Sequence, residues 1–189
     1  QAFLRQCNKG SERMSDADRA KIEKISQRYL WLPSGETAPV AFLSENEREN
    51  LNIVAGTLTS AERHIINHHI ESTISMLEAI PWPNHLRNVT EYAGGHHERI
   101  DGKGYPKGLK GQDMSVQARI LAIADIFEAL TAADRPYKSP MKLSQSLGIL
   151  KKMSQEGHID PDLFEVFVSH KVYLDYGKAF LDEAQLDAP

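Results

Sequence analysis

At three places in the first 62 residues a Ser or Thr stands three positions ahead of an acidic residue: Ser15 with Asp18, Ser44 with Glu47, and Thr59 with Glu62. At this spacing the hydroxyl accepts the third helical N–H and the carboxylate returns to the cap N–H, so each pair marks a helix start. Apolar residues then recur near the helical period. The clearest stripe is Ile65, Ile66, Ile70, Thr73, Met76, Leu77 and Ile80, which predicts one long helix over 59–80. No alternation of period 2 persists anywhere, which argues against a sheet. The expected fold class is all-α, a bundle of about six to eight helices.

The first start signal opens a helix to about Leu30, and the turn-rich LPSGETAP (32–39) follows. The second opens a short helix that Gly56 ends. PWPN (81–84) breaks the long helix, with Asn84 as the expected cap of the next one, through Leu86, Val89, Tyr92 and Ala93. From His96 to Met114 glycines and Pro106 impose a loop. Ser115 opens a helix that carries ILAIADIFEAL (120–130). Ser139–Pro140 and Asp160–Pro161 each pair a cap with a first-turn proline, and Gly157 stops the helix between them. A last helix is expected over 176–185.

With 189 residues, 41% hydrophobic and 25% charged, the chain reads as a soluble domain with one core. A net charge of -4 argues against a DNA or RNA partner. Cys7 stands alone, which excludes an internal disulfide and a thiolate zinc site and fits a reducing cytoplasm. Any metal must then be held by His and carboxylates. The start QAFLRQ lacks the pattern of a signal peptide, and Gln1 in place of Met reads as the edge of a fragment.

Five of the eight histidines cluster as His64, His68 and His69, then His96 and His97. His64 and His68 fall on a polar face and are expected in solvent. His69 falls on the apolar stripe, as a hydrogen-bonded core residue or as a ligand. His96 and His97 close a helix and open the loop. Adjacent helical side chains point about 100° apart, so such a pair shares one ion with difficulty. It suits two ions held ~3.5–4 Å apart, or an ion and a substrate; the alternative is a polar helix end favoured by the macrodipole. Asp125 interrupts an apolar run and is expected to be buried, needing a metal or a partner such as Arg119 or Arg135. In HHERIDGKGYPKGL, Gly102 and Gly104 permit close backbone approach, Tyr105 offers an aromatic face and a hydroxyl, and Pro106 stiffens the turn. Arg99, Lys103, Lys107 and Lys110 make the loop basic, which suits an anionic substrate as well as plain solvation. Arg135 and Lys138 in DRPYK are further phosphate-capable donors.

In content, order and spacing, HHERIDGKGYPKGL followed by ARILAIADIFEALTAADRPYK resembles the signature of the HD-GYP family, and GTLTSAERHIINHH looks like the preceding helix. The resemblance covers roughly residues 56–155. It implies an all-helical HD phosphohydrolase that cleaves the bacterial second messenger cyclic di-GMP with two or three iron or manganese ions. By position it implies metal ligation by His69, His96, His97 and Asp125. It implies substrate lining by Gly104, Tyr105 and Pro106, and phosphate binding by Arg135 and Lys138. A GGDEF-domain protein is a partner implied by analogy. One departure matters: the chain holds no His-Asp dipeptide and no histidine before His64. The expectation is that this motif lies upstream, with 1–55 an inserted helical segment and 56–189 the C-terminal part of the domain. A degenerate site is the alternative, which makes the chain a receptor or adaptor that binds cyclic di-GMP or a partner without cleavage. A bundle short of its first helices exposes core surface, so the chain is expected to self-associate, a homodimer being one form, or to be marginally stable alone.

Overall fold

Each of the three Ser/Thr–acid pairs caps a helix. The structure, a computed structural model, describes residues 2–8, 14–35, 37–54, 56–133 and 140–187, and divides into two units, 1–66 and 67–189.

In the first unit α1 (Ala2–Cys7) precedes α2 (Asp16–Arg28). Ser15 Oγ accepts the Asp18 N–H at 3.1 Å. β1 (Leu30–Trp31) and β2 (Val40–Ala41) pair antiparallel across the expected turn, with Leu30 opposite Ala41. Strands of two residues are too short for a period-2 pattern to register. α3 (Glu45–Leu51) has the full reciprocal cap between Ser44 and Glu47. Ile22, Leu43 and Leu51 are the buried centre, with Phe3, Leu4, Cys7, Met14 and Ile25 around them. α4 (Ser60–Asn67) opens on Thr59, whose N–H and Oγ1–H both donate to Glu62 Oε2 at 2.8 Å.

The long helix expected over 59–80 is broken at His68, and α5 (His69–Glu78) starts afresh. His68 has ψ −15°, flatter than a helical ψ of about −42°. Of the expected stripe Ile70 is buried, whereas Ile65, Ile66, Met76 and Ile80 are exposed. The Trp82 indole N–H donates to the Leu77 carbonyl at 2.8 Å and closes α5. Asn84 lies inside a 3-10 turn (Asn84–Leu86) and caps nothing; α6 (Val89–Gly94) follows.

Ser115 accepts the Ala118 N–H at 3.2 Å and opens α7 (Val116–Thr131). α8 (Leu143–Gln155) begins beyond Pro140, and Ser139 lies outside the described residues. Gly157, at φ +72°, turns the chain into α9 (Pro161–Ser169), where Asp160 accepts the Asp162 and Leu163 N–H groups. α10 (Val172–Phe180) starts four residues earlier than expected and stops before a 3-10 turn (Glu183–Gln185). α5 packs on α6, α6 on α7, and α7 on α8 and α9. Ile123, Phe127, Leu143, Leu150, Ile159 and Tyr173 form the buried core of this second unit. Buried Gln185 locks its end, donating to the carbonyls of Thr131 and Met141 at 3.0 and 2.9 Å. The class is all-α, with shorter and more numerous segments than expected. Among the described residues no helix is long and apolar enough to cross a membrane.

Candidate metal centre

Two elements of the second unit supply the site. α5 starts at His69, and the chain leaving α6 turns through His96 and His97. The approach of the two depends on Gly94, where a Cβ would stand 2.8 Å from Ile74 Cγ1 of α5.

His97 Nε2 lies 3.2 Å from His69 Nε2, and the ligand atoms of His69, His96 and His97 fall within 4.8 Å of one another. A divalent ion bound at roughly 2.0–2.1 Å in near-tetrahedral geometry sets neighbouring nitrogens about 3.3 Å apart, so the 3.2 Å between His69 and His97 fits a shared ion. The expected divergence of His96 and His97 is not found. They occupy a turn past the helix end, not helical positions, and their ring centroids are 4.1 Å apart. His96 Nδ1 lies 2.6 Å from the Ala93 carbonyl, which assigns that nitrogen the proton and leaves Nε2 as the acceptor. His69 is exposed, so it is not the core histidine that its place on the stripe allowed. His64 and His68 are exposed, as expected, and His68 pairs with Glu71 at 2.7 Å.

Asp125 is exposed, contrary to expectation. α7 turns Ala118, Ala122, Ile123 and Phe127 inward and leaves Ile120, Leu121, Ala124 and Asp125 outward, so the apolar neighbours of Asp125 share its exposed side. Arg119, one alternative partner, is committed to Asp160. Asp125 is not among the three gathered ligands, yet its charge acts on both His97 and Tyr105.

Burial pushes His97 down to about 4, with His96 and His69 adding to the effect and Asp125 opposing it. Burial, and then Asp125, raise the Tyr105 hydroxyl. Unfolded, His97 would titrate near 6.5. Between pH 6.5 and about 4 the unfolded chain therefore takes up a proton that the folded chain refuses. Stability of the metal-free chain is expected to fall as pH drops through that window. Urea unfolding at pH 7 and pH 4.5 measures this, and His97→Gln should lessen the loss. Equal pH dependence in both proteins would sink the assignment.

The loop closes over the site. The Tyr105 ring stacks on His97 with centroids 4.9 Å apart, and the Tyr105 N–H donates to the His97 carbonyl at 3.2 Å. Gly104 passes so close that a Cβ would stand 2.4 Å from Arg99 N and Glu98 Cα. Pro106 follows through a cis peptide bond.

Sequence reasoning missed two carboxylates here. Glu98, 2% exposed, accepts the Lys107 and Leu109 N–H groups at 2.7 and 2.8 Å. Asp101 accepts two bonds from Arg99 and one from the Lys103 N–H, and the Arg99 guanidinium holds its carboxyl down at about 2. The available signal was carboxylates just after the His pair, in a run rich in otherwise unpaired backbone N–H groups. Arg99 is thereby bound within the loop, and Lys103 lies 3.6 Å from the same carboxylate, which leaves less of the expected anion-attracting charge. Burial lowers His158, and its carbonyl accepts the Ile100 N–H. Arg135 and Lys138 lie outside the described residues.

A family model described as HD domain matches residues 46–163, more than half of the chain. A 3'3'-cGAMP-specific phosphodiesterase of Vibrio cholerae is 48% identical over 80 residues, covering 42% of this chain and 18% of that protein. A cyclic di-GMP phosphodiesterase of Pseudomonas aeruginosa is 36% identical over 114 residues, 60% of this chain and 26% of its own length. A cyclic di-GMP phosphodiesterase of Thermotoga maritima is 34% identical over 113 residues, 60% of this chain and 30% of its own length. The chain thus spans less than a third of each of these proteins. A cluster of three imidazoles in this setting is of the kind that holds a divalent metal ion.

Proposed function

The chain belongs to the HD domain family, and we propose that it serves metal-dependent hydrolysis of cyclic di-GMP as part of a larger signalling phosphodiesterase. The observation that carries this reading is the convergence of three imidazole ligand atoms under a loop whose Tyr105 ring lies on His97. His69, His96, His97 and Asp125 would hold the metal, two or three iron or manganese ions in the complete protein. When bound, such ions activate water and stabilise charge on a phosphate. His96, fixed by Ala93, keeps its Nε2 lone pair available. Asp125 contributes negative charge on the same side, which favours a cation there. Gly104, Tyr105 and Pro106 form the wall against which the dinucleotide rests, and Arg135 and Lys138 bind its phosphates.

The absence of a His-Asp dipeptide supports reading 1–55 as an inserted segment and 56–189 as the C-terminal part of the catalytic domain. Further ligands then come from sequence outside these 189 residues. A GGDEF-domain partner, a homodimer and a cytoplasmic setting belong to the same proposal.

The test offers cyclic di-GMP and 3'3'-cGAMP to the chain with Mn²⁺ or, under reducing conditions, Fe²⁺. Metal-dependent binding of cyclic di-GMP with weak or no cleavage is the expected result. Absence of binding to either dinucleotide overturns the proposed function. Full-rate hydrolysis overturns the proposal that ligands are supplied from elsewhere.

A further inference from the structure

Glu98 follows the His pair directly, and its position invites a reading as one more metal ligand. The geometry points elsewhere. Both carboxylate oxygens are occupied, Oε1 by the Lys107 N–H at 2.7 Å and Oε2 by the Leu109 N–H at 2.8 Å. The side chain is buried at 2% exposure, and it is not among the gathered ligand atoms. Two short bonds from backbone N–H groups to an ionised carboxylate are among the stronger hydrogen bonds a protein makes.

We infer that Glu98 is a positioning residue: its buried carboxylate draws 104–109 back over the His96–His97 turn and so holds Tyr105 on His97. The two N–H groups straddle Gly108, at φ +65°, so the carboxylate grips the returning limb of the loop on both sides of a left-handed glycine. The outgoing limb depends on other groups. Ile100 N–H donates to the His158 carbonyl, Asp101 N–H to the Gly157 carbonyl, and Gly111 N–H to the Ile100 carbonyl. Glu98 is thus one of three anchors of the returning limb, beside the Tyr105 N–H bond to the His97 carbonyl and the Gly111 N–H bond that ties the limb's end to Ile100. The inference rests on the proposed role of this loop as the substrate wall, and its test does not require turnover.

Amide exchange resolved by residue in the 189-residue chain reads the anchor directly. In Glu98→Ala the Lys107 and Leu109 N–H groups should exchange about ten- to hundredfold faster. The N–H groups of Ile100, Asp101 and Gly111 should keep their rates. Glu98→Gln keeps one acceptor oxygen, so one of the two loop amides should remain protected. Wild-type rates at Lys107 and Leu109 in either variant overturn the inference. Equal loss of protection at Ile100, Asp101 and Gly111 also overturns it, by showing a general packing role. Should Glu98→Ala fail to fold, Glu98→Gln decides between the same outcomes. Failure of the proposed function would show separately, as a wild-type chain that binds no Mn²⁺ while the exchange pattern holds.

Discussion

Replacing His97 with alanine is expected to lower the affinity of the chain for Mn²⁺ at least about a hundredfold, because even the outer partners of a metal-bound histidine are worth ten- to hundredfold. His97 is the central member of the cluster. Its ring contacts His69, His96 and Tyr105, with centroids 5.1, 4.1 and 4.9 Å away. Titration calorimetry gives the affinity. Thermal unfolding gives an independent check, since a metal that binds only the folded chain raises Tm with concentration. That rise should vanish in His97→Ala. His64→Ala, at an exposed position outside the cluster, should retain both signals. A His97→Ala protein that binds Mn²⁺ as the wild type does would remove the basis for the metal centre.

The second large effect belongs to Gly104→Ala. The added methyl would meet Arg99 N and Glu98 Cα at 2.4 Å and Glu98 C at 2.6 Å. These are backbone atoms held by the turn after α6, so they cannot yield as a flexible side chain would. Forcing one extra carbon into packed surroundings costs about 1–3 kcal/mol, or the loop lifts to avoid the cost. Either outcome lowers unfolding stability or frees Tyr105 from His97, and the proposed function then predicts loss of dinucleotide binding. Gly148→Ala in α8 is the control. Nothing lies within 4 Å of its added methyl, and removing a mid-helix glycine stabilises by up to about 1 kcal/mol. Equal stability and equal dinucleotide binding in Gly104→Ala and the wild type would contradict the close approach.

Helix starts were the most legible feature of the sequence, because capping is local. Ser15, Ser44, Thr59, Ser115 and Asp160 all accept helical N–H groups from residues two or three positions on. What depends on neighbours distant in sequence was harder to read. The break at His68 leaves no mark in the apolar pattern. Asp125 looked buried because Ile120, Leu121 and Ala124 are apolar, yet α7 faces them outward. The histidine cluster was legible through the family resemblance, and its geometry was not. A 100° rule for helical neighbours does not hold in the turn that carries His96 and His97. Glu98 and Asp101 were passed over because their partners are backbone N–H groups, which any sequence possesses.

The loop after His97 is fastened through its main chain. Glu98 holds the N–H of residues 107 and 109, Asp101 that of residue 103, and the His97 carbonyl that of residue 105. Every residue except proline brings such an N–H. Positions 103, 107 and 110, lysines here and all exposed, can therefore exchange their side chains while the scaffold beneath them persists. The architecture separates shape from surface charge: single substitutions at these positions can change the charge the loop presents without redesigning the loop itself.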